Sequence, residues 1–546
     1  MLIANLFWLF CACTVMDRLS KTAYILAFTG LTVGILCIRS QSPMIALTIL
    51  ITFGIIFVRP WAGLPTTALQ LVLLYPGANT GYLYGRDSVG LSAIARDISH
   101  NGWGLPQQVE FVWGDPTTPI IHFLIAVGSK VTGLRIFPSV DGDPLFTTLV
   151  PIIAVCLTLL LIGLLIRHHI STTDIPIAIL PALLWIPLFQ FYTGTRRGAL
   201  SIVFVTFLLF IILRIRTDGR VLFAALPLLL VLPATHHLGM AFALLLIACL
   251  GATIVRIRRL TLVAGVLASL WFAWITTRAV FAVVFGISLL SLGSSGPDII
   301  ANTESSFLDV LGPLLTQSIL VLLAVLFTLV LTWEWRNGIL NPVDLGLYFY
   351  SGFIGIITAI MYVGGGLAWT RAATFFVVVA GWLPIARAHQ LLPSRNRLTQ
   401  IASTGLICLL VLTAGIQVEP HIVSSQEPEY DNGVVDQRFH AETFAAGYWA
   451  RDHATGMLVG DANTMEVTVA TSQKEGTMAA DKLLNSGFGS NYIVIVSGRN
   501  EHLVMSLVNG EWYLITPDKS LETTYQQKTS KVYTNSWIDG YRKLDE

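Results

Sequence analysis

Long apolar runs, repeated from the first residues to Ile416, constrain this chain more than any other feature. A helix that crosses a bilayer needs about 20 mostly apolar residues, because each residue adds about 1.5 Å across a hydrocarbon core about 30 Å thick. The predicted spans are 2–16, 23–38, 44–58, 64–77, 146–166, 175–192, 198–213, 221–235, 238–255, 260–277, 313–333, 345–362, 372–386 and 400–416. The sequence therefore predicts a polytopic α-helical membrane protein with about 13–15 spans.

Composition excludes several other classes of protein. Only 12% of the 546 residues are charged and 54% are hydrophobic, whereas soluble domains carry about 25% charged residues. A soluble enzyme, a disordered chain and a nucleic-acid binder with a basic face are all excluded. We therefore expect a lipid bilayer, and no nucleic acid, among the partners of this chain.

The charge changes sign along the chain. Residues 417–546 carry 18 acidic and 10 basic side chains, a net charge of −8, whereas residues 1–416 carry a net charge of +9. All six cysteines lie in the apolar part, so no disulfide or cysteine metal site is available to the tail. These differences predict a membrane domain at 1–416 and a soluble domain at 417–546.

The loops divide into a basic set and a balanced set, which predicts their sides of the membrane. One set holds 14 basic and five acidic residues, and the other holds nine of each; short cytoplasmic loops favour Lys and Arg. The apolar run Thr118–Gly133 either crosses or lies on the surface, and the surface interpretation keeps more positive charge inside. This topology predicts an outer loop at 77–145 with juxtamembrane helices. It also predicts an extracytoplasmic tail on a multi-pass cell-membrane protein.

The tail mixes helical and strand patterns. Aromatic residues at helical spacing predict a helix at Arg438–Ala454, and a second helix is predicted at Thr477–Ser486. Strands are predicted at 457–460, 492–496, 502–508 and 512–516, with a hairpin turn at Asn509-Gly510. The pattern predicts a small α/β domain.

Asp87 is the strongest candidate for a catalytic acid or base. It begins an amphipathic helix on the outer loop, where the helix dipole favours a carboxylate. An ordinary N-cap is the common role of an aspartate at this position, and from the residues alone it is the favoured one. Asp97 and Asp115 are secondary candidates, although solvation explains the first and a turn between Gly114 and Pro116 explains the second equally well.

Cationic side chains at span ends on the same predicted face are candidates for a phosphate site. They are Arg196, Arg197, His236, His237 and Arg371. Guanidinium groups bind phosphate oxygens in a bidentate manner, and histidine adds a donor. The alternative is that these groups anchor the spans by pairing with acids or lipid headgroups.

The order of these features resembles the GT-C superfamily of membrane glycosyltransferases. That superfamily includes protein mannosyltransferases, aminoarabinose transferases and oligosaccharyltransferases. Asp87–Asn101 is similar to the helix that begins at the family's catalytic acid. The stretch PTTPIIHFLIAVGSKVTGL at Pro116–Leu134 resembles a family segment on the outer membrane surface, and the downstream runs FYTGTRRGAL and TRAATFF resemble its Arg-containing span starts.

The resemblance implies an activity. The donor would be a sugar on a polyprenyl phosphate, and the acceptor a protein or a glycan. Asp87 would act as the general base, and the five cationic residues would bind the departing phosphate. The spans would form a groove for the prenyl chain, and the tail would help to bind the acceptor.

The sequence lends no support to a metal cofactor. Many family members carry an acidic pair in this loop, but here Arg86 precedes Asp87 and Ser88 follows it. A divalent metal is thus compatible with the family but unsupported by these residues. The alternative function is a non-catalytic membrane protein of cell-surface assembly, either a scaffold or a transporter. A transporter buries ionisable groups near mid-membrane, whereas the charges of this chain cluster at the predicted span ends.

Overall fold

The structure is a computed structural model. It describes residues 83–84, 86–101, 119–138, 145–169, 182, 197–215, 222–276, 307–363, 368–391, 438–439, 441–454, 457–460, 467–468, 471, 476–477, 492–497, 503–508, 511–515, 529–534 and 538–543. The first four predicted spans and the last one lie outside the described residues, as does the predicted span 175–192 except for Ala182.

The described residues from Leu83 to Leu391 are mostly helical and begin with one short strand, β1 (Leu83–Tyr84). The helices are α1 (Arg86–Asn101), α2 (Ile120–Thr132), α3 (Phe146–His169), α4 (Arg197–Ile215), α5 (Leu222–Thr235), α6 (His237–Thr253), α7 (Arg258–Thr276), α8 (Phe307–Arg336), α9 (Pro342–Val363), α10 (Ala368–Val379) and α11 (Trp382–Leu391). Helices α3 to α11 coincide with predicted spans to within a few residues. The predicted span 372–386 is divided into two helices, α10 and α11, by Ala380 and Gly381.

Apolar stripes on the outside of the bundle indicate surfaces that face lipid. On α9, Phe349, Phe353, Ile356 and Ile360 are each 46–60% exposed, and their spacing places them on one helix face. Two further stripes lie on α7 (Leu262, Val266 and Leu270) and on α8 (Val321, Val325 and Leu329). Apolar surface this extensive is rare on soluble monomers, so the exposed stripes favour a membrane setting.

Length and hydropathy agree with this setting within the described residues. Pro342–Tyr362 and Trp369–Arg387 are long and apolar enough to cross a bilayer. Shorter apolar helical stretches are Ile120–Thr132, Leu157–His169, Gly198–Arg214, Phe223–Thr235 and Leu238–Thr253. The fold is a mostly helical membrane fold with few strands.

Helix α3 gives the bundle two ends that serve as reference points. Its 24 residues correspond to a length of about 36 Å, enough to cross a hydrocarbon core. We call the end of the bundle at Phe146 the upper end and the end at His169 the lower end. The central helix α4 packs against α3, α5, α6 and α10, and its inward side chains form the middle of the apolar core.

A buried ionic cluster joins four helices at the lower end. Asp344 of α9 is fully buried; its Oδ1 lies 2.5 Å from His169 Nε2 of α3, and its Oδ2 accepts a 2.5 Å hydrogen bond from Arg387 Nη2 of α11. Arg387 Nε is 3.2 Å from Oε1 of Glu334 on α8, and the hydroxyl of Tyr348 donates to the other oxygen of that carboxylate at 3.1 Å. The cluster fixes the C-terminal ends of α3, α8 and α11 and the N-terminal end of α9 at one end of the bundle.

Helices α1 and α2 form a small layer at the upper end. Ser92 of α1 donates to Thr147 of α3 at 3.3 Å, and Thr147 donates to the carbonyl of Ile136 at 3.0 Å. Gly128 of α2 lies so close to Phe146 that a Cβ there would meet the ring at 1.9 Å. Because both neighbours of α2 along the chain lie at the upper end, α2 enters and leaves on the same side. Its 13 residues extend about 20 Å, too short to cross a bilayer core.

The Thr-Gly-Leu sequence after α2 has a local structural reason. Gly133 has a φ of 72°, a left-handed conformation that favours glycine, and its N–H donates to the carbonyl of Ser129 at 2.9 Å. The Ser129 hydroxyl donates to the carbonyl of Leu134 at 2.6 Å. This C-cap ends α2 and turns the chain back towards α3.

The described tail contains one helix and several strands. They are β2 (Arg438–Phe439), α12 (Ala441–His453), β3 (Met457–Gly460), β4 (Gly476–Thr477), β5 (Tyr492–Ser497), β6 (Leu503–Val508), β7 (Glu511–Ile515), β8 (Thr529–Thr534) and β9 (Ile538–Lys543). A five-stranded sheet has the order β4-β3-β5-β9-β8, with β3 parallel to β4 and β5. β6 and β7 form a separate antiparallel pair joined at Asn509-Gly510.

The tail departs from the sequence predictions in three places. Arg438 and Phe439 form a strand, so the tail helix begins at Ala441 and ends at His453. Thr477, predicted to start a second helix, belongs to β4. Strands β8 and β9 were not predicted, because the run around Lys531 and the segment containing Gly540 lack a clear apolar alternation.

Candidate functional site

Asp87 is the second residue of α1, which begins at Arg86. A carboxylate in the first turn of a helix is stabilised by the backbone N–H groups there. The short strand β1 (Leu83–Tyr84) lies just before the helix. The helix also buries Leu91 and Ile94 in the apolar cluster that it shares with α2 and α3, so the backbone at Asp87 belongs to a packed element at the upper end.

Two cationic features of the sequence are brought to the same end of neighbouring helices. Arg197 is the first residue of α4, and His237 is the first residue of α6. One turn into these helices, Gly239 is so close to Ser201 that an added Cβ would lie 2.4 Å from the Ser201 Cβ. The first turns of α4 and α6 are therefore in direct contact. His236 precedes α6 in an extended conformation and is partly buried.

The third cationic feature, Arg371, lies at the start of α10. Phe375, one turn further along α10, packs on Phe242 of α6 with ring centroids 4.6 Å apart, and α10 also packs against α4. The side chain of Arg371 is exposed. The N-terminal turns of α4, α6 and α10 thus lie close together. The residues at these helix starts include Arg197, His236, His237 and Arg371.

This convergence has an electrostatic consequence. The first four N–H groups of a helix have no intrahelical partner, and the aligned peptide dipoles place about half a positive charge at each N-terminus. Helices α4, α6 and α10 all begin at the same end of the bundle, so their N-terminal dipoles add to the formal charges of Arg197 and Arg371. Helix N-termini combined with guanidinium groups are suited to binding phosphate.

The lower ionic cluster shows that α1 and these helix starts share one end of the bundle. Arg387 of α11 meets the C-terminal residue of α3 through Asp344. The α10–α11 segment and α3 therefore run in the same direction, with Arg371 sixteen positions before Arg387 and thus towards the upper end. Since α1 packs at the start of α3 through Ser92, the helix of Asp87 and the cationic helix starts lie on the same side.

The remaining candidates have different positions. Asp97 lies near the end of α1, and its Oδ1 is 3.9 Å from the neighbouring Arg96 Nη2. Arg196 and Asp115 lie outside the described residues, as do the side chains of Asp87, Arg197 and His237. Among the residues that the structure does describe, no group of three or more His, Cys, Asp or Glu side chains could hold a metal ion.

Sequence reasoning did not anticipate the lower ionic cluster. It places the charges at span ends, which is correct for Glu334 and Asp344, but it does not show that these carboxylates are buried between helices. One available signal is Asn341-Pro342, since Asn341 caps α9 through hydrogen bonds from the backbone N–H groups of Val343 and Asp344 at 3.0 and 2.9 Å. That cap places Asp344 in the first turn of an apolar helix, where a buried acid requires a partner.

Comparison with known proteins identifies the fold. No protein-family model matches the sequence, and no curated protein matches it significantly. The oligosaccharyltransferase AglB from Archaeoglobus fulgidus, solved with an inhibitory peptide and a dolichol-phosphate, matches with a TM-score of 0.52 at 11% identity; the match covers 83% of this chain and 69% of AglB. Its structure with a tethered acceptor peptide also gives 0.52 at 11% identity, covering 87% and 74%.

A second known structure matches over a similar share of this chain but with a lower TM-score. ArnT from Cupriavidus metallidurans, bound to undecaprenyl phosphate, covers 88% of this chain and 98% of its own, with 13% identity and a TM-score of 0.49. The AglB matches show that this chain shares the overall fold of AglB. Oligosaccharyltransferases belong to the superfamily that the sequence resembles, so the GT-C resemblance is confirmed at the level of the fold.

Proposed function

We propose that this protein is a membrane glycosyltransferase that transfers a sugar from a polyprenyl-phosphate donor to an acceptor at the membrane surface. The observation that carries the proposal is the convergence at one end of the bundle. The helix that begins beside Asp87 and the starts of α4, α6 and α10 share that end, together with Arg197, His236 and Arg371. A carboxylate near a cationic phosphate site is the arrangement that such a transfer requires.

In this proposal Asp87 removes the proton from the acceptor nucleophile as that atom attacks the anomeric carbon of the sugar. Proton transfer by a positioned carboxylate contributes about 10²–10⁴-fold to a rate. The bond between the anomeric carbon and the phosphate oxygen breaks as the new glycosidic bond forms. A single displacement of this kind inverts the anomeric configuration.

The cationic residues act on the leaving group. As the sugar–phosphate bond breaks, negative charge grows on the polyprenyl phosphate. Arg197, Arg371, His236 and His237, together with the three helix N-termini, would donate hydrogen bonds to this charge, and donors that are positioned before the reaction starts lower the barrier. Arg196 is assigned to the same group because it directly precedes Arg197.

The AglB structures support the choice of substrates. AglB is solved with a dolichol-phosphate and with peptides, which supports a polyprenyl phosphate as the donor lipid and a protein as one class of acceptor here. We assign residues 1–416 to the membrane domain and 417–546 to an α/β domain that binds the acceptor. The charge of the loops supports an extracytoplasmic position for the upper end, the outer loop 77–145 and the tail.

The alternative is a scaffold or a transporter, and the lower ionic cluster bears on it. Ion-coupled transporters bury ionisable groups near mid-membrane. Glu334 and Asp344 are buried, but they lie within three residues of helix ends, and each is paired with Arg387. A closed network at the edge of the bundle favours a structural role over a transport pathway.

Substitution of Asp87 tests the proposal. Purified protein in liposomes is given a radiolabelled sugar on a polyprenyl phosphate, and transfer to an acceptor peptide or glycan is measured. Asp87→Asn removes the base at nearly constant volume and is expected to lower the transfer rate at least 10²-fold. Asp97→Asn, ten residues further along the same helix and beside Arg96, is the matched control and is expected to retain the rate.

Two results would contradict the assignment. Full transfer by Asp87→Asn would remove this carboxylate from the reaction. No transfer by the wild-type protein with any polyprenyl-phosphate sugar, in a preparation that retains its helical content, would favour the scaffold.

A further inference from the structure

Helix α1 is held between two apolar layers, and the tail supplies one of them. Towards the membrane helices, its residues Leu91, Ile94, Ala95 and Ile98 pack with α2 and the start of α3. Towards the tail, Val89 and Ala93 pack with Phe444 of α12 in a second cluster. The first turns of α1, where Asp87 lies, are therefore covered by a segment that lies about 350 residues later in the sequence.

The centre of the tail contact is an aromatic pair. Phe444 is fully buried, and its ring centroid is 5.0 Å from that of Phe137 at an interplanar angle of 46°. Val89, Leu145 and Val467, also fully buried, complete the cluster. Rings at this separation attract each other beyond the effect of burial alone. The cluster joins α1, the chain before α3 and the tail helix.

A strand pair fixes the chain on the other side of Asp87. β1 pairs with β2 of the tail in antiparallel register, with Leu83 opposite Phe439 and Tyr84 opposite Arg438. The pair ends three residues before Asp87, and Val89 enters the aromatic cluster two residues after it. The tail thus contacts the chain on both sides of the candidate base.

We propose that the segment 438–444 of the tail, which ends at Phe444 in the aromatic pair, positions Asp87 for the reaction. The positioning role rests on the proposed function, whereas the contact between the tail and α1 is independent of that function. The membrane layer alone covers one face of α1, and the tail layer with the strand pair holds its first turn in place. Phe444 is a positioning residue, because it acts through Val89 and the α1 backbone rather than on a substrate.

The expected kinetic effect follows from geometry. A displacement of about 1 Å at a reacting group costs about 10²-fold in rate. The donor phosphate is assigned to the starts of α4, α6 and α10, and no described residue of these helices belongs to the Phe444 cluster. Loss of the cluster should therefore lower kcat about 10²-fold and leave the KM for the donor within about twofold.

Three variants of the full-length protein separate positioning from a general loss of structure. Phe444→Ala opens the cluster, and Phe444→Leu keeps most of its apolar volume and should restore most of kcat. Arg451→Ala is the control on the same helix. That side chain is exposed and is not a member of the Phe444 cluster; it pairs with Asp452 at 2.8 Å and lies over the ring of Tyr448, with the guanidinium carbon 5.5 Å from the ring centroid. Equal losses of kcat in Phe444→Ala and Arg451→Ala would overturn the proposal.

Hydrogen exchange tests the contact without any activity. In Phe444→Ala, amides of 86–95 should exchange at least tenfold faster than in the wild type, while amides of α4 and α6 keep their protection. Unchanged exchange in 86–95 would overturn the contact. Faster exchange with unchanged kcat would overturn the positioning role. If the wild type transfers no sugar, the proposed function fails, but the exchange data still decide whether the tail holds α1.

A disulfide between β1 and β2 tests whether the tail contact, rather than a general folding defect, explains the lost protection of α1 in Phe444→Ala. Leu83 and Phe439 are directly opposite each other in an antiparallel pair, and such pairs have Cα separations of about 4.5–5.5 Å, within the range that a disulfide bridges. Leu83→Cys with Phe439→Cys should crosslink on oxidation, and in the Phe444→Ala background the crosslink should restore at least half of the lost protection. A failure to crosslink would overturn the register on which the proposal depends.

Discussion

Arg387→Ala is expected to lower the free energy of unfolding by about 3–5 kcal/mol, because it breaks a buried ion network by removing one partner. Asp344 is fully buried, the side chain of Glu334 is 3% exposed, and Arg387 itself is only 21% exposed. Each carboxylate would lose one charge-assisted hydrogen bond or ion pair, worth about 1.5–3 kcal/mol. Asp344 would retain His169 and Asn341, and Glu334 would retain Tyr348.

The assay is equilibrium unfolding in mixed micelles, monitored by circular dichroism. Arg387→Lys is expected to recover part of the loss, since one ammonium group cannot bridge both carboxylates as the guanidinium fork does. Arg336→Ala, at the exposed end of α8, is the control and should change stability by less than about 0.5 kcal/mol.

A second substitution tests whether the stability lost in Arg387→Ala comes from the buried carboxylates. Glu334→Gln in the Arg387→Ala background removes the charge of one of the two carboxylates that lose Arg387, and it should restore about half of the lost stability. A value for Arg387→Ala within about 0.5 kcal/mol of wild type would refute the reasoning. In that case the ion pairs between α8, α9 and α11 would not exist in the folded protein.

Two further predictions concern the helix starts and the lipid-facing surface. Gly239→Val places side-chain atoms where Ser201 already lies, with Cβ atoms 2.4 Å apart, so it should separate α4 from α6. In a liposome binding assay this variant should bind polyprenyl phosphate at least tenfold more weakly than the wild type. Gly265→Val, where a Cβ meets nothing within 4 Å, should bind normally, and an unchanged affinity in Gly239→Val would exclude the contact between the starts of α4 and α6. Ile356→Asp on the 59% exposed stripe of α9 should raise the cost of membrane insertion by about 2.5–3.5 kcal/mol; unchanged insertion efficiency would mean that this face does not contact lipid.

The helices of the membrane domain could be predicted because their signal is strong and local. Apolar runs that follow Arg, His or Asp predict α4, α6 and α9 with only a few residues of error. The Thr-Gly-Leu sequence likewise predicts the end of α2, since a left-handed residue such as Gly133 is a common way to end a helix. Both features are properties of neighbouring residues and need no tertiary information.

The contacts between distant segments could not be predicted in the same way. Nothing in the sequence near Asp344 identifies His169 or Arg387 as its partners, since pairing depends on which helix ends meet. The same limit applies to Phe444, whose helical spacing predicts a buried side chain but not that Val89 lies beneath it. The candidate site was predicted as a set of residue types, and its assembly from three helix starts required the packing of α4, α6 and α10.

Binding of a polyprenyl phosphate to matched arginine variants tests the central claim most directly. Undecaprenyl phosphate is titrated into the wild-type protein, Arg371→Ala at the upper end and Arg336→Ala at the lower end, and binding is followed by native mass spectrometry. Loss of one charged hydrogen-bond partner corresponds to about 1.5–3 kcal/mol, so Arg371→Ala should bind at least tenfold more weakly than the wild type while Arg336→Ala binds equally well. Equal affinities for all three proteins would contradict a phosphate site at the starts of α4, α6 and α10.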